Sequence, residues 1–162
     1  MVRKKESVMR FKFNFAPFGK NDYVGASANA PSCSSSDGEL HDNGNRPYAF
    51  NMRRLSDANE CQRIALWTGK YMQLAAMKIA AAETVREEKH EKLDRMMIFT
   101  SGYGEVESKS PIGKSVRYSV SPGYAVIIPA GAEHTVRNTG SAPLRFYSVY
   151  THPVLKYGES VR

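Results

Sequence analysis

The sequence predicts an all-β protein, an antiparallel sandwich or barrel, on three observations. From Pro47 onward, seven or eight short segments rich in β-branched, aliphatic and aromatic residues follow one another. Gly, Pro and Ser punctuate them, and no long amphipathic helix interrupts the series. A small barrel of this kind has room inside for side chains and one small ligand.

Arg63 to Thr68 reads as a strand, Gly69-Lys70 as a two-residue turn, and Tyr71 to Ile79 as the second arm of a hairpin. Further strands are expected at Arg95 to Thr100, Gly104 to Glu107, Val116 to Val120, Ala125 to Ile128, Thr135 to Arg137 and Leu144 to Tyr150. Ser121-Pro122-Gly123 and Asn138-Thr139-Gly140 are turn signals between them. Arg53 to Cys61 has room for one helical turn. The charged run from Glu83 to Lys92 reads, on composition alone, as a solvated turn. Met72, Met77, Met96 and Met97 read as adaptable core.

Ahead of the barrel the texture differs. Residues 24–46 are rich in Gly, Ser, Ala and Asn and bury too little to offset their ordering entropy, so they read as a linker. The domains expected are a poorly ordered arm and linker over 1–45 and a barrel over 46–162. Within the arm, Phe11-Lys12-Phe13-Asn14-Phe15 alternates with the period of a strand, which suits a short or swapped strand.

Charge narrows the function classes. Of the net +7, residues 1–20 carry +5, from six cationic side chains against Glu6, which leaves +2 for the rest. The excess sits in an arm rather than on a folded face, so no specific nucleic-acid partner is expected. No apolar run of about 18 residues occurs, so no membrane span is expected either. Two cysteines make no metal spacing and no disulfide framework. A cytoplasmic location is the default, with mitochondrial targeting the lesser alternative given the basic terminus.

Two stretches carry a family resemblance. Gly123, five residues, Pro129-Ala130-Gly131, two residues, His134, three residues and Asn138 together resemble the second motif of the cupin superfamily at every fixed position. The first motif is only partly kept: His90 and Gly102 fit, Glu88 stands where the first His is usual, Ala82 replaces a Gly, and Arg95 replaces an acid or amide. The runs at 66–74, 88–90 and 128–140 are similar to single-domain cupins labelled mannose-6-phosphate isomerase-like. The resemblance spans roughly residues 41–151. It implies a jelly-roll, or double-stranded β-helix, barrel with His90 and His134 facing each other inside.

What the resemblance implies chemically is a site of Glu88, His90 and His134, holding a divalent metal (Mn, Fe, Zn or Ni) or moving a proton. Arg95 conflicts with a metal, because a guanidinium has no lone pair and repels a dication. It can pair with Glu88 in a metal-free pocket, the preferred reading, or swing to the mouth and hold an anionic substrate. Trp67 and Tyr71 read first as packing residues at the hairpin, and Trp67 could also wall the pocket and contact that substrate. The expected function is a small-molecule-binding cupin, sugar-phosphate isomerase-like if catalytic. The alternative is a degenerate, metal-free structural or interaction module. A small anionic ligand and a homodimer are the partners expected.

Overall fold

The computed structural model describes residues 8–11, 40–87, 89–109 and 112–151. Ten strands form two five-stranded sheets. In chain order they are β1 (Val8–Phe11), β2 (Arg63–Thr68), β3 (Met72–Ile79), β4 (Thr84–Glu87), β5 (Asp94–Ser101), β6 (Gly104–Lys109), β7 (Ser115–Val120), β8 (Ala125–Ile128), β9 (Glu133–Asn138) and β10 (Leu144–Thr151). One sheet runs β1-β4-β9-β6-β7, the other β2-β3-β10-β5-β8. Every pairing is antiparallel except β1 with β4, which is parallel.

Strict alternation of buried and less buried positions on β6, β8 and β9 sets the inward face. Between the sheets lie Met77, Ile79, Met97, Phe99, Val106, Val136, Leu144 and Phe146, all nearly fully buried. A second apolar cluster sits on the far side of the β2-containing sheet: Leu40, Leu55, Leu66, Ala76 and Tyr147. The seven-residue helix α1 (Met52–Ala58) covers it. So short a helix is marginal alone. Asn51 caps it, its side-chain oxygen accepting from the Arg54 N–H, and Leu55 buries its apolar face. The Arg145 guanidinium donates to the Ser56 carbonyl at 2.9 Å, and the Tyr147 hydroxyl donates to the Met52 carbonyl at 2.6 Å.

The barrel strands foreseen from sequence are found, and β4 is added to them. β4 lies within the charged run that composition alone reads as a turn; pairing with β9, Glu87 opposite His134, overrides its solvated composition. The folded unit also reaches further back than residue 46. Leu40 is buried, and the Asn43 N–H donates to the Leu66 carbonyl at 2.9 Å. In the arm, β1 is a strand at Val8–Phe11, while most of the Phe11 to Phe15 alternation lies outside the described residues. Cys61 is buried and disulfide-bonded, which a count of two cysteines left open.

Candidate functional site

Tight turns aim the site. Gly131 has φ +81° and its N–H donates to the His90 carbonyl at 2.7 Å. The Pro-x-Gly turn and the His90 segment, some forty positions apart, are thereby tied to each other. Asn138 ends β9: its side-chain amide donates to the carbonyls of Ile79, Ala80 and Ala142 at 2.9–3.1 Å and accepts from the Gly140 N–H at 2.9 Å. That is the turn-fixing role the motif implies. Gly102, at φ +82°, admits no side chain, since a Cβ there would stand 2.5 Å from the Pro143 carbonyl oxygen.

Between these anchors the two imidazoles converge. His134, the second residue of β9, is 3% exposed; its ring centroid lies 6.0 Å from that of His90, with the planes tilted by 43°. The His90 and Tyr150 rings stand nearly perpendicular, their centroids 5.7 Å apart. Tyr150 points inward from β10, directly opposite Arg95 on β5.

Arg95 occupies the heart of the cluster. It is 1% exposed, so it is not at the barrel mouth, one of the two positions the sequence left open. Its Nη1 lies 2.6 Å from His134 Nε2, its Nε and Nη2 donate to the Ser148 hydroxyl at 3.2 and 2.7 Å, and its Cζ stands 5.0 Å from the Tyr150 ring centroid. A guanidinium only donates, so the contact to His134 is N–H···N and the imidazole lone pair accepts it. Burial, then the Arg95 charge and His90, push the His134 pKa down to about 3, although a backbone hydrogen bond at Ala132 opposes them. Burial lowers the Arg95 pKa as well; Tyr150 opposes that and Arg63 reinforces it.

Arg63 is the residue that sequence reasoning missed. It is inward on β2, half-buried, with its Cζ 5.9 Å from the Tyr150 ring centroid. Its Nη2 donates to Gln73 Oε1 at 2.6 Å; Gln73 Nε2 donates to the Thr68 hydroxyl at 3.0 Å, which donates to Asp42 at 2.5 Å. The signal was available: Arg63 shares its side of the strand with Ala65, and Arg63 pairs with the buried Met77.

Trp67 requires a correction. A register shift between Ala65 and Trp67 turns it to the outer face opposite Leu74, where its ring lies over Gly69 and its N–H donates to the Arg46 carbonyl at 2.7 Å. It does not wall the pocket. Glu88 lies outside the described residues. Among the described residues no cluster of three or more His, Cys, Asp or Glu side chains forms, and no helix is long and apolar enough to cross a membrane.

Two facing sheets, antiparallel apart from the β1–β4 pair, with paired imidazoles from opposite motifs at one end of their interior, define a class of small β-barrels with an internal site. The chain belongs to the cupin superfamily. Residues 75–150 match the family model described as a cupin domain. The chain is 35% identical over 120 residues to the uncharacterized protein YrkC of Bacillus subtilis, covering 74% of this chain and 64% of YrkC, so it spans just under two thirds of that relative. The crystal structure of BH2720 from Bacillus halodurans is 35% identical, matches 74% of this chain and 92% of its own, and superposes with a TM-score of 0.65. The Schizosaccharomyces pombe Cnp3 cupin domain, 13% identical over 58% of this chain and 67% of its own, shares the fold with a TM-score of 0.51.

Proposed function

We propose that the polar end of the barrel binds a small anionic molecule, with Arg63 as the cation that meets it and Arg95 as the fixed charge behind. The observation that carries this is the pair of guanidinium groups, with carbons 5.9 and 5.0 Å from the centroid of one Tyr150 ring. Arg95 is committed to Ser148 and His134 and is 1% exposed, whereas Arg63 is half-buried. The ligand-contacting role expected of Arg95 therefore passes to Arg63. Planar guanidinium groups pair with carboxylate and phosphate in bidentate fashion, which favours those two chemistries.

A sugar-phosphate isomerase is the catalytic version of this reading. It would ask His90, rather than His134, to move a proton, because the His134 lone pair already accepts from Arg95. Glu88 would be the second candidate for that role.

Thermal unfolding with inorganic phosphate, malonate, glucose 6-phosphate and uncharged glucose tests the proposal. A phosphate or carboxylate probe at 100 times its Kd should stabilise the fold by about 2.7 kcal/mol, a rise of several degrees. The rise should be absent with glucose and abolished in Arg63→Met. No saturable rise with any anion, or an equal rise in Arg63→Met, would sink it. In that event the second reading gains: an interaction module, the partner being a second copy. Its support is the exposed apolar surface at Ile127, Tyr124 and Tyr118, 65%, 56% and 46% exposed. Its measurement is the mass in solution at several concentrations.

A further inference from the structure

We infer that Arg95 stands in the place of a metal ion: its guanidinium is the cation that His134 is built to meet, and His90 and His134 take no divalent ion while Arg95 is present. The two imidazoles have the right separation for a shared ion. Metal–nitrogen bonds of about 2.0–2.1 Å let one ion touch both of two rings whose centroids are 6.0 Å apart. The ligating atom, however, is already used. Nε2 of His134 accepts from Arg95 at 2.6 Å, and an imidazole nitrogen has one lone pair in the ring plane.

The seat around the guanidinium is made for it rather than for an ion that drives it aside. Ser148, from the neighbouring strand β10, accepts two of its N–H groups, and the Tyr150 ring presents its π-face at 5.0 Å. Swinging Arg95 out to admit a metal would break three hydrogen bonds in a water-poor interior, and leaving it in place would set a dication against a guanidinium at bonding range. A divalent ion has no favourable position in either case. Positive charge is nevertheless retained at this point of the barrel, supplied by a side chain and independent of metal supply.

This inference shares the interior end with the anion-binding proposal but does not need an anion to bind there, so the two can fail separately. The test is metal binding itself. Untagged protein is titrated with Co2+ by calorimetry and visible absorption, and its metal content is measured after dialysis. Wild type should show no Co2+ binding that depends on His134. Arg95→Glu, which exchanges the cation for a carboxylate beside two imidazoles, should bind Co2+ at least ~100-fold more tightly, with the ligand-field absorption of a protein-bound ion. Adding His134→Ala to that variant should return the affinity to the wild-type level. Should Arg95→Glu not fold by circular dichroism, Arg95→Gln carries the same prediction with an amide oxygen as donor. One equivalent of metal in the wild type, lost on His134→Ala, would overturn the inference. So would a folded Arg95→Glu or Arg95→Gln that binds Co2+ no better than wild type.

Discussion

The two ends of the barrel interior are made from the same strands and have opposite characters. Along β10 the inward residues run Leu144, Phe146, Ser148, Tyr150: apolar at one end, polar at the other. β5 does likewise, with Phe99 toward the first end and Arg95 toward the second. At the apolar end Phe99 and Phe146 pack with ring centroids 5.1 Å apart. At the polar end the corresponding space holds a guanidinium, a hydroxyl, a phenol and two imidazoles. Burial is equally complete at both: Phe146 and Arg95 are each 1% exposed. The difference lies in what burial does. At one end it stabilises the fold through area removed from water; at the other it constrains protonation and leaves hydrogen bonds to hold the charge.

Each prediction presses on that contrast. Phe146→Ala should cost about 3–5 kcal/mol of stability by chemical denaturation, the cost of a large aromatic cavity, while leaving any anion-induced stabilisation in place. A loss of anion response with stability unchanged would reverse the division of labour between the ends.

The polar end should make the fold acid-sensitive in a particular window. His134 is neutral in the folded state down to about pH 3, whereas in the unfolded chain it takes up a proton below about 6.5. Its contribution is therefore complete above pH 6.5 and erodes as pH falls from there toward 3, by about 2 kcal/mol at pH 5. Glu60, held low by Lys78 and Arg145, adds its own loss only below the ordinary carboxylate value of 4.5. Unfolding free energies of wild type and His134→Gln between pH 5 and pH 7 separate the two groups: the slope should flatten in the variant. Equal slopes would show that His134 does not carry it.

The smallest expected effect concerns a position outside both ends. Ala82 stands where the first cupin motif has Gly, and it has φ +61°, a conformation that costs a residue with a Cβ about 1 kcal/mol. Ala82→Gly should raise the denaturation midpoint by the equivalent of up to ~1 kcal/mol, less the entropy that glycine adds to the unfolded chain. A drop in stability would show that the turn does not strain this residue.

Much of this was legible in the chain, for identifiable reasons. The hairpin from Arg63 to Ile79 is visible because Gly69-Lys70 breaks two apolar runs. His134 is visible because a five-position motif fixes it between a tight turn and Asn138. β4 was hidden because its residues are chosen for pairing with β9 and carry charges on a composition that resembles a loop. For Trp67 the sequence left hairpin packing and a pocket wall both open; strand alternation carried from Arg63 through Ala65 would turn it inward, and only the register shift after Ala65, which no residue type announces, turns it out. The same alternation, followed in the other direction, would have found Arg63. That Arg95 bonds His134 rather than facing the mouth could not be read at all, since it depends on Ser148 arriving from a strand fifty positions away.

The hydrogen bond from the Gly131 N–H to the His90 carbonyl has an evolutionary consequence. Lineages that lengthen or shorten the Pro129-Ala130-Gly131 bend would shift one imidazole and, through that bond, drag the other along. Insertions at this bend should therefore be tolerated only where both histidines have been given up together.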